Sequence, residues 1–279
     1  MKETTNYQLK KIELTDSPPD ITVHSDNFDI IDTQLKKNAD DLIAHKADYA
    51  SMQFGSRPYV STASKTYYID EINGSDSNDG ESAVTAFATF GKFITKLPIF
   101  LKHVYTVRIV GNYSGSDFTI EQLIAIRPGY LTIIGDTENA DNHVISNAAY
   151  FYTCMGGTAG IDGYFYNATA VFLKALKFTG PLTGYASNIF IKDCKPQPPG
   201  GTSVSVTGGD TTVMNCDFGT DIVHDCIQAR HFAHVLSMTN SGNATRYGLS
   251  AYGGIIQKFG SQPTGDTANE DMALGGVIR

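Results

Sequence analysis

The sequence predicts a mainly β protein: a parallel β-helix preceded by a short N-terminal α-helical coiled coil. Two observations carry this. Up to about residue 53, one apolar seam runs at heptad spacing, and beyond about residue 66 short β-type runs recur roughly every 20 residues.

The seam is Phe28, Ile31, Leu35, Asn38, Leu42, His45, Tyr49 and Met52. Steps of three and four alternate without a break, which places all eight on one side of a helix. Ser25, Asp26 or Asn27 can cap its start near Phe28, and Gly55 and Pro58 stop it. With Phe28 at position a, Asn38 and His45 fall at d. Polar groups there weaken a helix packed inside its own chain. In a parallel oligomer they meet around the axis and fix register, where they could also ring an anion.

The β-type runs are 107–112, 131–136, 172–178, 189–195, 212–218, 235–240 and 253–259. Cys194, Cys216 and Met238 follow one another at 22-residue intervals. One coil of three short strands and three turns takes about this length. Cys194 is then expected over Cys216 and Asp193 over Asn215, with Met238 one further 22-residue interval on. An antiparallel sandwich also yields short strands, but it does not explain the matched intervals.

These elements divide the chain into an extended arm (1–24), a helical stalk (25–53), a polar linker (54–66), a β-helix (67–260) and a C-terminal segment (261–279). Ser17-Pro18-Pro19 keeps the arm extended. A cap helix is expected at about 82–97, where Phe87, Phe90, Phe93, Ile94 and Leu97 share one face and Pro98 ends it.

Net charge is −8, from 21 basic and 29 acidic residues. With no basic stripe to neutralise phosphates, no nucleic-acid partner is expected. A modest lysine cluster in the first 46 residues is interspersed with acids and reads as a solvated face. No run approaches 18 apolar residues, so no membrane insertion is expected, and no signal peptide is visible at the start. Cys154, Cys194, Cys216 and Cys226 form no CxxC pair and read as free buried thiols of a protein made in a reducing cytoplasm.

The stretches TTNYQLKK and NADDLIAHKADYASMQ, with the C-terminal AYGGIIQKFGSQPTGDTANE, resemble tail fibres and receptor-binding proteins of phages of Gram-positive hosts. The segment YYIDEINGSDSNDGESAVTAFATFGKFI, with its Asx/Gly turn before Phe87 and Thr89, is similar to the entry of pectate-lyase-like right-handed β-helices. The resemblance implies a homotrimeric tail appendage of a virion or prophage-encoded particle. Its N-terminal arm would meet other tail or baseplate proteins, and its β-helix would meet a bacterial surface glycan. The alternatives are a polysaccharide depolymerase on the same fold and a purely structural tail subunit.

The densest polar cluster is Asp221, His224, Asp225, Arg230, His231 and His234. Glycoside cleavage needs two carboxyl groups across a sugar, and Asp221, Asp225, His224 and Arg230 are the weak candidates for it. The NTD, GHG and RIK triplets of the hydrolytic and lyase relatives are absent, so no catalytic residue is assigned. The acidic balance points to a neutral or cationic ligand unless basic residues converge, with Arg230 and Arg246 the candidates for such a patch. No cofactor is implied. Asp70, Asp76, Asn78 and Asp79 offer hard oxygens for Ca²⁺, but the order DSNDG lacks EF-hand spacing and reads as a self-bonded turn. His224, His231 and His234 lack zinc-site spacing.

Overall fold

The computed structural model describes residues 2–3, 10–11, 21–51, 53–54, 57–126, 128–135, 137–156, 169–220 and 224–279. Side chains are described from residue 26 to 44 and again from 57 onward. The chain divides into two units, Met1–Met52 and Gln53–Arg279.

In the first unit, one α-helix spans Ile21–Ser51. It starts within the segment expected to be an extended arm, two residues after Pro19. The arm is not wholly extended chain either, since Lys2–Glu3 pairs antiparallel with Lys10–Lys11. Phe28, Ile31, Leu35 and Leu42 are exposed on the helix. Asn38 is also exposed and accepts a hydrogen bond from Gln34 Nε2 at 2.8 Å. The side chains of His45, Tyr49 and Met52 lie outside the described residues.

The second unit is built from parallel sheets in sequential strand order, an arrangement consistent with a β-helix. A nine-stranded sheet runs from Lys65–Ile69 through Val104–Ile109 and Tyr130–Gly135 to Val277–Ile278. Every one of the seven runs read from the sequence falls on it. An eight-stranded sheet, from Phe100–Leu101 to Ala268–Ala273, forms a second wall. Val144–Ile145, Lys177–Phe178 and Lys195–Pro196 make a short third one. Like residues stack inward: Val107, Ile133, Leu173, Ile191 and Val213 are neighbours in register and fully buried. Parallel strands ~4.8 Å apart bring such side chains into contact, so each coil buries the apolar face of the next.

Corners repeat as faithfully as strands. Ala175, Asp193, Asn215 and Thr239 all have φ between 51° and 54°. Asn and Asp tolerate this left-handed bend best, and Asn215 Nδ2 donates to Asp193 Oδ1 across the coils as the spacing predicted. Cys194 and Cys216 follow in adjacent coils, with Asp217 N donating to Cys194 O at 3.1 Å. All four thiols are free and buried. Burial pushes Cys154, Cys194 and Cys226 up to about 12 and Cys216 upward as well, so they stay protonated at neutral pH.

The next register differs from the expected one. Met238 pairs with Met214, and Asn240, 24 residues on, lies beside Cys216. One extra residue enters before Ile227–Arg230 and a second at the corner after it, so the two sheets step by 23 and then 24 residues. Both additions fall between strands, and each strand keeps its inward face. Counting apolar residues therefore cannot detect the shift.

The expected cap helix is reduced to Phe90–Ile94. Phe87 is withdrawn from it because it bridges to Ile69, its N–H bonded to Tyr68 O at 2.9 Å. Asp76 takes the N–H groups of Ala88 and Thr89 at 3.1 and 3.0 Å, which sets the helix start at Thr89. Gly80 (φ +72°) lies against the Phe87 ring, where a Cβ would meet ring carbon at 2.3 Å. At the other end, residues 261–279 do not form a separate segment. Thr264–Gly265, Ala268–Ala273 and Val277–Ile278 continue the sheets.

The linker packs onto the start of the stack. Val60 bridges to Phe100, and Arg57 donates to the carbonyls of Leu97 and Pro98 at 2.9 and 3.3 Å.

Candidate functional site: the outer face of the eight-stranded sheet

Alternation along the eight-stranded sheet sends one residue set inward and the other out. Ile120, Phe151, Val206, Ala229 and Ala251 face the core. The opposite face carries a column read across the strands as Glu121, Tyr152, Tyr185, Thr207 and Arg230. A parallel column carries Tyr150, Thr183, Ser205, Gln228 and Ser250.

The tyrosines form a stack. Tyr152 and Tyr185 have ring centroids 5.1 Å apart and planes 2° apart, and Tyr150 lies 5.9 Å from Tyr152 at 16°. Tyr185 ends the stack and is 40% exposed. Beyond it come short side chains, Thr207 and Ser205, and then Arg230. Two strand spacings separate Tyr185 from Arg230, about 9.5 Å. Thr207 stands in that interval in register, so this gap in the row of large side chains holds only short hydroxyl-bearing groups beside the exposed Tyr185 ring.

Past the gap lies an open cleft of about 380 Å³ lined by Gln228, Arg230, His231, Arg246, Tyr252 and Leu274. Buried hydrogen bonds organise its floor. Asp225 is fully buried and accepts from Gln228 Nε2 at 2.9 Å and Ser250 Oγ at 2.8 Å. With its amide nitrogen so used, Gln228 presents Oε1 to Arg230 Nε, which donates to it. Arg246 Nε stands 4.0 Å from Asp225 Oδ1. The Asp225 carboxylate holds the Arg246 guanidinium above its ordinary pKa, and that group also lies 5.1 Å from the centre of the Tyr247 ring. Tyr252 Oη is 3.4 Å from Arg246 Nη2.

The polar cluster singled out from the sequence is only partly assembled. Asp225 and Arg230 join through Gln228, and Arg246 arrives from the turn before the next strand. His224 is exposed at the start of the strand and His231 lines the cleft. His234 lies around the corner, 3.3 Å from Asp210. Asp221 lies outside the described residues. Asp225 is sealed beneath Gln228 and Ser250, and no carboxylate is among the side chains that line the cleft. Its role here is to position other groups.

In the proposed Ca²⁺ turn the oxygens are engaged locally. Asp70 accepts from Ile72 N and Asn73 N, Asp76 from Thr89 N and Oγ1, and Asp79 from Glu81 N and Thr85 Oγ1. Asn78 donates to Ala86 O at 3.0 Å.

Sequence reading did not single out Tyr150, Tyr152, Tyr185, Gln228 or Tyr252. The signal available was the alternation Tyr150-x-Tyr152, which puts two rings on one face of a strand. Nothing in the sequence shows that Tyr185 stacks beside them, because it lies 33 positions beyond Tyr152.

No protein-family model, curated protein or solved structure matches the chain.

Proposed function

We propose that this protein is a phage tail appendage, a tail fibre or receptor-binding protein that attaches to the bacterial surface by binding a wall or surface glycan. The observation that carries this reading is the Tyr150–Tyr152–Tyr185 stack, which ends in an exposed ring beside the short hydroxyl-bearing Thr207 and Ser205. Aromatic faces bind the apolar faces of sugar rings while neighbouring hydroxyls accept and donate hydrogen bonds. In this reading the parallel sheets form a right-handed β-helix, and the N-terminal residues dock to other tail or baseplate proteins.

The N-terminal helix supports assembly as a parallel homotrimeric coiled coil. Phe28 is 68% exposed and Leu35 62%, which leaves an apolar seam for other copies to cover. Intact protein is expected to scatter light with three times the 30.2 kDa mass of one chain. Leu35→Asp should reduce it to a monomer, since burying three carboxylates on one axis is strongly unfavourable. A monomeric intact chain would sink the trimer.

Adsorption is the decisive test. Purified protein should be retained on cell walls from a panel of Gram-positive bacteria without releasing reducing ends or unsaturated products. Tyr185→Ala should weaken each site about two- to tenfold, the range for one aromatic contact. Avidity makes the loss steeper in a trimer. Product release would favour the depolymerase, and absence of retention on every wall would favour a structural subunit.

A further inference from the structure

The net charge of −8 makes a paired guanidinium site conspicuous. Arg246 has a nearby counter-ion in Asp225, 4.0 Å away. Arg230 has no carboxylate partner among the described residues. Its Nε is taken by Gln228 Oε1, so its two terminal nitrogens form a fork at the cleft, with no hydrogen-bond partner among the described residues. An exposed arginine usually samples many rotamers. This one is held from below by Ser250, Asp225 and Gln228, all three of them nearly or fully buried. Asp225 Oδ1 itself has no hydrogen-bond partner among the described residues, so the buried carboxylate is spent on orientation rather than on its own satisfaction. The corner that follows Arg230 is left-handed at His231 (φ 41°), as the same corner is at Gln122, Thr153, Ala186 and Leu274. Phe232 (φ 63°) is one residue more than the neighbouring coils carry there, and it widens the corner beside the cleft.

We infer that this cleft is a subsite for an oxyanion, a carboxylate or phosphodiester carried by the glycan. The inference rests on the proposed glycan-binding role and takes up the exception that the overall charge left open, a local convergence of Arg230 and Arg246. The anion seats on the Arg230 fork, with Arg246 beside it; the Tyr252 hydroxyl already faces the Asp271 carboxylate. Planar guanidinium forks match two oxygens of such a group, and pre-orientation lowers the entropic cost of binding. A ring against Tyr185 and an acidic substituent at Arg230 are then neighbouring parts of one ligand.

The experiment is calorimetric titration of the intact protein with three probes of similar length: a galacturonate tetramer, a glycerol phosphate tetramer and neutral maltotetraose. At least one acidic probe should bind about ten- to hundredfold tighter than the neutral one, as hydrogen bonds to charged groups allow. Whichever acidic probe binds tighter identifies the source of the oxyanion. Arg230→Gln should erase the preference, and Arg230→Lys should restore part of it. Gln228→Met keeps the charge but loses the acceptor, and should reduce the preference several-fold. Equal affinity for all probes, no binding of an acidic probe, or a preference unchanged in Arg230→Gln would overturn the inference. Retention on walls separates the two readings. Wild-type retention without an acidic preference removes the subsite alone, whereas an acidic preference without retention removes the adsorption role alone.

Discussion

Phe118→Ala should lower stability by about 3–5 kcal/mol, the range for truncating a fully buried aromatic ring. Phe118 is wholly buried where the cap meets the coils. Its ring stacks on Phe90 at 4.1 Å and packs edge-on against Phe178 at 6.4 Å, so it joins the short helix to a later coil. The hole cannot collapse easily. Phe90 N donates to Tyr113 Oη at 2.8 Å, Tyr113 donates in turn to Asp117, and Asp117 receives Gly91 N at 2.6 Å. These bonds hold the helix away from the vacated space, and relaxation is what lessens such costs. Urea denaturation followed by near-ultraviolet circular dichroism measures the change. Phe118→Leu, which refills much of the volume, should cost distinctly less. A loss below about 1 kcal/mol for the alanine variant would show that the cap does not stabilise the coils.

Asn240→Ala is expected to cost about 2–4 kcal/mol, although it removes little apolar area. Asn240 is fully buried. Its Oδ1 accepts Cys216 N at 2.9 Å, and its Nδ2 donates to Val213 O and Ser237 Oγ, each at 2.9 Å. The side chain thus substitutes for ladder bonds where the corner interrupts the sheet. Alanine would strand a buried N–H and weaken the pairing of a carbonyl, at about 1–3 kcal/mol for each unsatisfied group. Asn240→Asp keeps the acceptor but sets a buried carboxylate oxygen against the Val213 carbonyl, so at neutral pH it should cost at least as much as the alanine. Denaturation midpoints of both variants against wild type provide the check. An alanine variant within about 0.5 kcal/mol of wild type would mean that water replaces the amide.

The sequence by itself determined the class of fold and one sheet of it. Each coil must return to the same face, so apolar runs recur along the nine-stranded sheet and show as spacing. The pairing of Asp193 with Asn215 was legible for the same reason, because two adjacent coils place a side chain that tolerates the left-handed corner at the same position. Register after Cys216 was not legible, since single residues added in turns leave the inward and outward faces of the strands unchanged. Nor was the length of the cap helix, because Phe87 satisfies a helical period and a bridge to Ile69 equally well, and the Asp76 turn decides between them. The site divides along the same line. Asp225, Arg230 and Arg246 stood out as charged residues in an acidic chain. Gln228 was invisible, because its contribution is the direction it imposes on Arg230. The gap between Tyr185 and Arg230 exists only through the stacking of three coils, in which residues more than forty positions apart become neighbours on one face. Local periodicity encodes which way a side chain points; only the completed stack decides what it points beside.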